Sequence, residues 1–262
     1  MRSSEWIACV YFLYLAVAAA LMRARRSKRA VVVASALACA AGVVAGASVP
    51  DAIRDWLPAL DILAAYYLTG GLFVAPSEPL ERWLAAWDTR LLGAPGRRFA
   101  DWPRPLLGFL EIVYMGCVLV VPGGFAVLVL GGHGADANRY WTMVTAAELG
   151  AFAPLSVFQT RPPWVVEGKP QLADRTVHRM ASGMVRHVSI RVNTFPSGHV
   201  AGSVAVALAV LPSMPIAGGV LLALAVSIAI GCVAGRYHYA VDAIAGALLA
   251  GAVWVLVGIA RV

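Results

Sequence analysis

Charge is what this sequence has least of. Of its 262 residues only 13% are Asp, Glu, Lys or Arg, against roughly one-quarter in an ordinary soluble domain. With 60% hydrophobic residues and a mean hydropathy of +0.76, that deficit excludes a water-solvated globule. Cysteine is scarce as well. Cys9, Cys39, Cys117 and Cys232 all lie inside apolar runs, without disulfide-framework or metal-ligand spacing. They read as small buried residues. There is no internal repeat of fixed period and no low-complexity tract beyond richness in Ala and Val. The net charge of +7 does not signal nucleic acid, because the basic residues sit in short loops between apolar runs. Orientation in a membrane and contact with anionic lipid heads account for such loops.

What the chain has instead is a series of apolar runs, and about 20 such residues span a bilayer core. The expected class is all-α, a polytopic membrane helix bundle of about eight transmembrane helices plus an interfacial amphipathic helix. The spans are expected at about 5–22, 30–49, 56–75, 105–131, 140–160, 197–212, 216–235 and 237–260. The first is no signal peptide, since its basic cluster, Arg23 to Arg29, follows the apolar run. Residues 1–55 form an N-terminal hairpin and 56–262 a catalytic membrane domain. Between the third and fourth spans, Leu80, Trp83, Leu84, Trp87, Leu91 and Leu92 recur at helical spacing among charged residues. An amphipathic helix in the interface follows from that pattern. The fourth span carries a Pro122-Gly123-Gly124 interruption.

Crossing the membrane from His199 to Pro212, and back from Pro215 to Arg236, returns the chain to its starting face. Arg161 reaches the same face through the loop 161–195. Three polar clusters therefore converge: Arg161, Ser197 with His199, and Arg236 with His238 and Asp242. His238 and Asp242 are four apart, so on a helix they share a face. A carboxylate on one imidazole nitrogen leaves the other free to attack. Ser197 caps an apolar helix whose first N–H groups, that of Gly198 included, favour an anion. Arg161 offers a fork of donors for phosphate oxygens, with Arg236 as a second cation. Such a set suits phosphoryl transfer through a phosphohistidine, with His238 as nucleophile and His199 as the acid at the leaving oxygen.

Phe195-Pro196-Ser197-Gly198-His199 and the pair His238/Asp242 resemble signatures of the type 2 phosphatidic acid phosphatase superfamily, whose patterns are K-x6-R-P, P-S-G-H and S-R-x5-H-x3-D. P-S-G-H and H-x3-D are complete, and Arg161-Pro162 matches the R-P. The family lysine falls at Pro154, and the S-R pair at Gly231-Cys232. Arg161-Pro162-Pro163 and the Tyr237-His238-Tyr239 form resemble the inositol phosphorylceramide synthase-like branch, whose members move a phosphorylated head group onto an alcohol. The resemblance implies a lipid phosphatase or head-group phosphotransferase acting on a lipid phosphate, diphosphate or phosphodiester, with an alcohol as the optional acceptor.

Other readings stand beside this one. A non-catalytic lipid-binding protein or transporter would use the same polar pocket. Asp242 with two histidines could hold zinc, but Ser-Gly-His has no metal-motif logic of its own, so no metal and no cofactor is assigned. Asp61, Glu111 and Glu148 lie within apolar runs, where ionisable groups are expensive; each lines a head-group pocket or pairs with a loop arginine. His133, His178 and His187 read as interfacial or loop residues. Counting basic loops places residues 23–29, 76–105 and 161–195, and with them the site, on the cytoplasmic side.

Overall fold

The structure, a computed structural model, describes residues 1–167, 189–190 and 192–260. The basic residues Lys169, Arg175, Arg179, Arg186 and Arg191, with Asp174, His178 and His187, lie outside the described residues. Helices make up the fold, and no strand occurs among the described residues. In chain order they are α1 (Ser3–Leu21), α2 (Arg26–Gly46), α3 (Asp51–Arg54), α4 (Leu57–Gly70), α5 (Glu78–Leu92) and α6 (Pro95–Ala100). There follow α7 (Arg104–Met115), α8 (Cys117–Leu130), α9 (Ala137–Phe152), α10 (Pro163–Val166), α11 (Gly198–Val210), α12 (Pro215–Ala234) and α13 (Ala240–Ala260).

Among the described residues four helices, α1, α2, α12 and α13, are long and apolar enough to cross a membrane. The pair α7 and α8 would be a fifth span if counted as one, but it bends by 67°. These four helices make this an integral membrane protein, and among the described residues the other expected spans do not form single helices of that length. At 1.5 Å per residue, the 14 residues of α4 and 13 of α11 reach only about 20 Å, short of a hydrocarbon core of about 30 Å.

The fourth expected span breaks at Gly116 and not at Pro122, which lies inside α8. A proline ring presses on the carbonyl four residues back, here that of Val118. The bend itself lies upstream at Gly116, which ends α7 and donates to the Ile112 carbonyl at 3.1 Å.

The short helix α11 is the hub of the bundle. It packs against α8, α9, α12 and α13, and Val200, Ala201, Ala205, Val206 and Val210 are fully buried. A helix apolar on all sides belongs inside a protein, so α11 can be short because it meets protein and not lipid. The hairpin α1–α2 is bonded to the rest: Tyr11 Oη lies 2.6 Å from Thr69 Oγ1, and Tyr14 Oη donates to Ser156 Oγ at 2.6 Å.

The loops sort to two ends. At one, Arg2 pairs with Asp51 at 2.8 Å and Ser213 donates to Asp136. At the other, Lys28 donates to the Phe73 carbonyl and Ser77 N–H to the Gln159 carbonyl, both at 2.7 Å. The motif residues all lie at this second end.

The helix α5 departs from a simple amphipathic pattern. Its inward face holds Leu84 together with two acids, Glu81 and Asp88, all buried. Trp83 and Leu91 point outward, each 44% exposed, with Trp87 between them on the same stripe. Apolar residues facing away from the protein suit the bilayer interface; the buried acids are explained by what they meet.

Candidate active site

The helix α12 ends in a turn that reverses the chain. Gly235 caps it, Tyr237 N–H donates to the Cys232 carbonyl at 2.8 Å and Arg236 N–H to Val233 at 3.1 Å. These are the two bonds of a Schellman motif, whose left-handed position usually holds glycine. Here Arg236 occupies it with φ 60°. A side chain in that conformation costs about 1–2 kcal/mol, and the compensation lies in its contacts. The Arg236 guanidinium, 2% exposed, meets Asp88 at 2.8 Å and takes Glu167 through two bonds of 2.5 and 3.1 Å. Its carbonyl accepts from Trp164 N–H at 3.0 Å, which draws in the stretch after Arg161.

That turn delivers His238 just ahead of α13. The expectation that His238 and Asp242 share a helix face is corrected, because α13 begins at Ala240 and His238 precedes it. Asp242 lies in the first turn, and its Oδ2 reaches back to Tyr239 N–H at 3.0 Å. This is the returning half of a capping box. The same oxygen stands 3.5 Å from His238 Nδ1, within ion-pair reach and longer than a formed hydrogen bond. Asp88 supports the same helix start, accepting Ala240 N–H at 2.7 Å. The H-x3-D spacing is thus a cap geometry that aims Asp242 at the imidazole.

Ser197 caps α11 as expected, its Oγ accepting Val200 N–H at 3.5 Å. Gly198 N–H donates to Thr194 Oγ1 at 3.3 Å, while the His199 N–H has no hydrogen-bond partner among the described residues. Ser197 N–H donates to the Asp242 carbonyl at 3.0 Å, which ties the two motif segments together. The rings of His199 and His238 come edge to face at 5.8 Å. Around them stand Tyr66, Tyr114 and Tyr237, the last two stacked at 4.2 Å. A polar cleft of about 20 Å³ between His199 and His238 is also lined by Thr194, Gly198 and Trp164. A far larger apolar cavity, about 670 Å³, reaches His199 from the side of α4 and the α7–α8 bend.

Arg161 lies beside this cleft, which its neighbour Pro162 lines. Thr160 bridges Asn193, with Asn193 N–H donating to the Thr160 carbonyl at 2.9 Å, so the R-P stretch is pinned next to the Ser197 segment. The Arg161 side chain takes Glu81 of α5 in a fork, at 2.9 and 2.7 Å, and its N–H adds a third bond of 2.8 Å. Arg161 holds the Glu81 carboxyl below the usual carboxylate range by these bonds, against the opposing effect of burial. Both arginines expected at the phosphate are thus held by carboxylates, Arg161 by Glu81 and Arg236 by Asp88 and Glu167. Glu81 and Asp88 were not singled out in the sequence as partners. Their seven-residue spacing puts them on one helix face, a signal that becomes readable only once that face is known to turn inward.

Where the family pattern carries Lys and Arg, this chain is packed. Pro154 sits in the short helical turn Ala153–Ser156 that ends α9. Cys232 is fully buried, and a Cβ on Gly231 would stand 2.8 Å from the Leu110 carbonyl. Among the described residues no three His, Cys, Asp or Glu side chains group as metal ligands.

A family model described as the PAP2 superfamily matches residues 82–256. Neither a curated protein nor a solved structure matches the chain at a significant level.

Proposed function

The chain belongs to the PAP2 superfamily, and on that premise we propose that it cleaves a lipid phosphate, diphosphate or phosphodiester through a phosphohistidine on His238. The observation that carries this reading is the His199–His238 pair, 5.8 Å apart, with Asp242 at the Nδ1 of His238 and a lipid-sized apolar cavity opening at His199. Its Nδ1 held towards Asp242, His238 presents Nε2 to phosphorus. The N–P bond forms as the P–O bond to the lipid breaks, and the leaving oxygen takes a proton from His199. In the second half His199 accepts a proton from the incoming water or alcohol, whose oxygen displaces His238 from phosphorus. Ser197, the Gly198 backbone and the free His199 N–H at the start of α11 form the phosphate cradle, where helix N–H groups favour an anion. Arg161 joins by exchanging Glu81 for a phosphate oxygen. Arg236, more deeply paired, supplies charge and holds the turn that presents His238.

Burial of His238 supports a second reading within the same chemistry. His238 is 5% exposed beside a cleft with space for one water-sized group. An alcohol delivered along the lipid path suits such a site, as in the head-group transferase branch, and the motif forms at Arg161-Pro162-Pro163 and Tyr237-His238-Tyr239 favour it. Residues 56–262 would carry the chemistry, with the 1–55 hairpin bracing α4 and α9. Incubating purified protein with a panel of lipid phosphates and diphosphates, with and without alcohol acceptors, separates the readings. Phosphate release matching substrate loss without acceptor identifies a phosphatase, and turnover that requires the alcohol identifies a transferase. Binding without turnover of any substrate would leave a lipid-binding protein or transporter.

A further inference from the structure

Glu148 is a carboxylate that the mechanism does not use. It lies on α9, 6% exposed, and lines the 670 Å³ cavity together with His199. Among the described residues it forms no hydrogen bond and no ion pair. Packing alone holds it in place. Gly198 and Gly202, one turn apart on α11, leave a trough in which the Glu148 side chain lies. A Cβ at Gly198 would stand 3.2 Å from its Oε2, and one at Gly202 would overlap its Oε1. Burying an ionisable group without a partner inside a membrane protein is expensive. Such a group persists where a bound molecule supplies the partner.

The cavity indicates what kind of molecule that is. Its size falls within the range of about 300–1,000 Å³ for ligand clefts. It runs along α4 from Leu57 to Tyr67, roughly 15 Å at 1.5 Å per residue, and continues past Ile53 of α3. Its walls include Leu60, Leu63 and Leu119, which are 62%, 40% and 71% exposed and so open it sideways towards lipid. An acyl tail fits there with its phosphate end at His199. Glu148 then stands beside the first few atoms that join tail to phosphate. We propose that Glu148 accepts a hydrogen bond from a donor on the lipid backbone next to the phosphate, a hydroxyl or an ammonium, and so selects donor-bearing lipid phosphates. This rests on the lipid phosphate reading above and adds a specificity to it. A site built to bond a donor rejects the analogue that lacks it, because its own buried polar group is then left unpaired.

Three matched lipids test this: palmitoyl-lysophosphatidate, and two analogues whose free glycerol hydroxyl is replaced by an amino or a methoxy group. The purified full chain should turn over the hydroxyl or amino lipid with kcat/KM at least about tenfold above the methoxy lipid. Glu148→Ala should bring that ratio to within about twofold, while Glu148→Gln should keep selectivity for a hydroxyl and lose it for an ammonium. A carboxylate that served only the packing of α11 would alter all three lipids alike. Equal turnover of the three by the wild-type protein overturns the proposal, as does an unchanged ratio in both variants. Should Glu148→Ala not fold, the wild-type ratio and Glu148→Gln decide. Displacement of a fluorescent lysophosphatidate by the same lipids gives a second readout. If no lipid is turned over but displacement still follows the donor, the catalytic reading fails and the Glu148 assignment stands. If displacement is indifferent to the donor, the Glu148 assignment fails.

Discussion

At the scale of single residues, Arg236 shows how a site can be built on a position that looks wrong for it. It stands with positive φ where a glycine would be easier, its guanidinium buried between Asp88 and Glu167. Removing one partner of a buried pair costs about 3–5 kcal/mol, because the other charge is left uncompensated. Arg236→Ala is therefore expected to lower unfolding free energy by that order in denaturant titration. Arg236→Gly should lose about 1 kcal/mol less, since glycine takes the left-handed conformation without strain. A neutral outcome for Arg236→Ala would mean that the pair does not hold the His238 turn. The histidines predict a different pattern. His238→Ala and His199→Ala should each abolish turnover while leaving the melting temperature within a few degrees of wild type. Loss of fold in both would assign them to structure.

At the scale of elements, α5 is the least expected part of the molecule. Its outward stripe of Trp83, Trp87 and Leu91 points away from the bundle, and its inward acids take hold of the arginines at the candidate site. The Glu81 carboxyl is held low by Arg161. A depressed carboxylate contributes stability that is present above its unfolded value, about 4.3, and lost as pH falls through its folded value. Thermal stability should thus drop on acidification below about pH 4.5, and Glu81→Gln should flatten that drop. A wild-type acid limb identical to that of the variant would show that the pair contributes nothing. Asp88→Asn tests the other clamp. It removes charge from Arg236 but keeps an acceptor for Ala240 N–H, so it should reduce turnover more than Glu81→Gln does, as measured by initial rates. The residues that the structure gathers at the candidate site were legible in the sequence, since P-S-G-H and H-x3-D name His199, His238 and Asp242 directly. Their partners were not. Asp88 meets Arg236 across 148 positions of chain, and no local spacing announces a contact of that range.

At the scale of the whole molecule, counting crossings correctly brought Arg161, His199 and His238 to one end, because loops alternate between ends even when helices are short. Among the described residues, four of the eight expected spans stand as single helices long enough to cross a membrane. Hydrophobicity alone does not distinguish a helix that meets lipid from one, such as α11, whose apolar surface is taken up by neighbouring helices. Which side of the membrane the site end faces is a separate question, and the basic cluster at Arg23 to Arg29 argues for the cytoplasmic side. Cysteines placed singly at Ala75 on the site end and Ala135 on the other should then label oppositely in intact cells. An impermeant reagent should reach Ala135→Cys and spare Ala75→Cys; the reverse would put the site outside.

If the His199–His238 pair breaks a phosphate bond on a lipid without help from a metal, turnover must survive chelation and depend on both histidines. The most direct measurement is phosphate release from lipid phosphates by purified protein in EDTA, alongside His238→Ala and His199→Ala. Expected are sustained release by the wild-type chain, no release by either variant, and acid-labile labelling from labelled lipid that is lost in His238→Ala. Release that persists in His238→Ala, or that ceases with EDTA in the wild type, would contradict this chemistry.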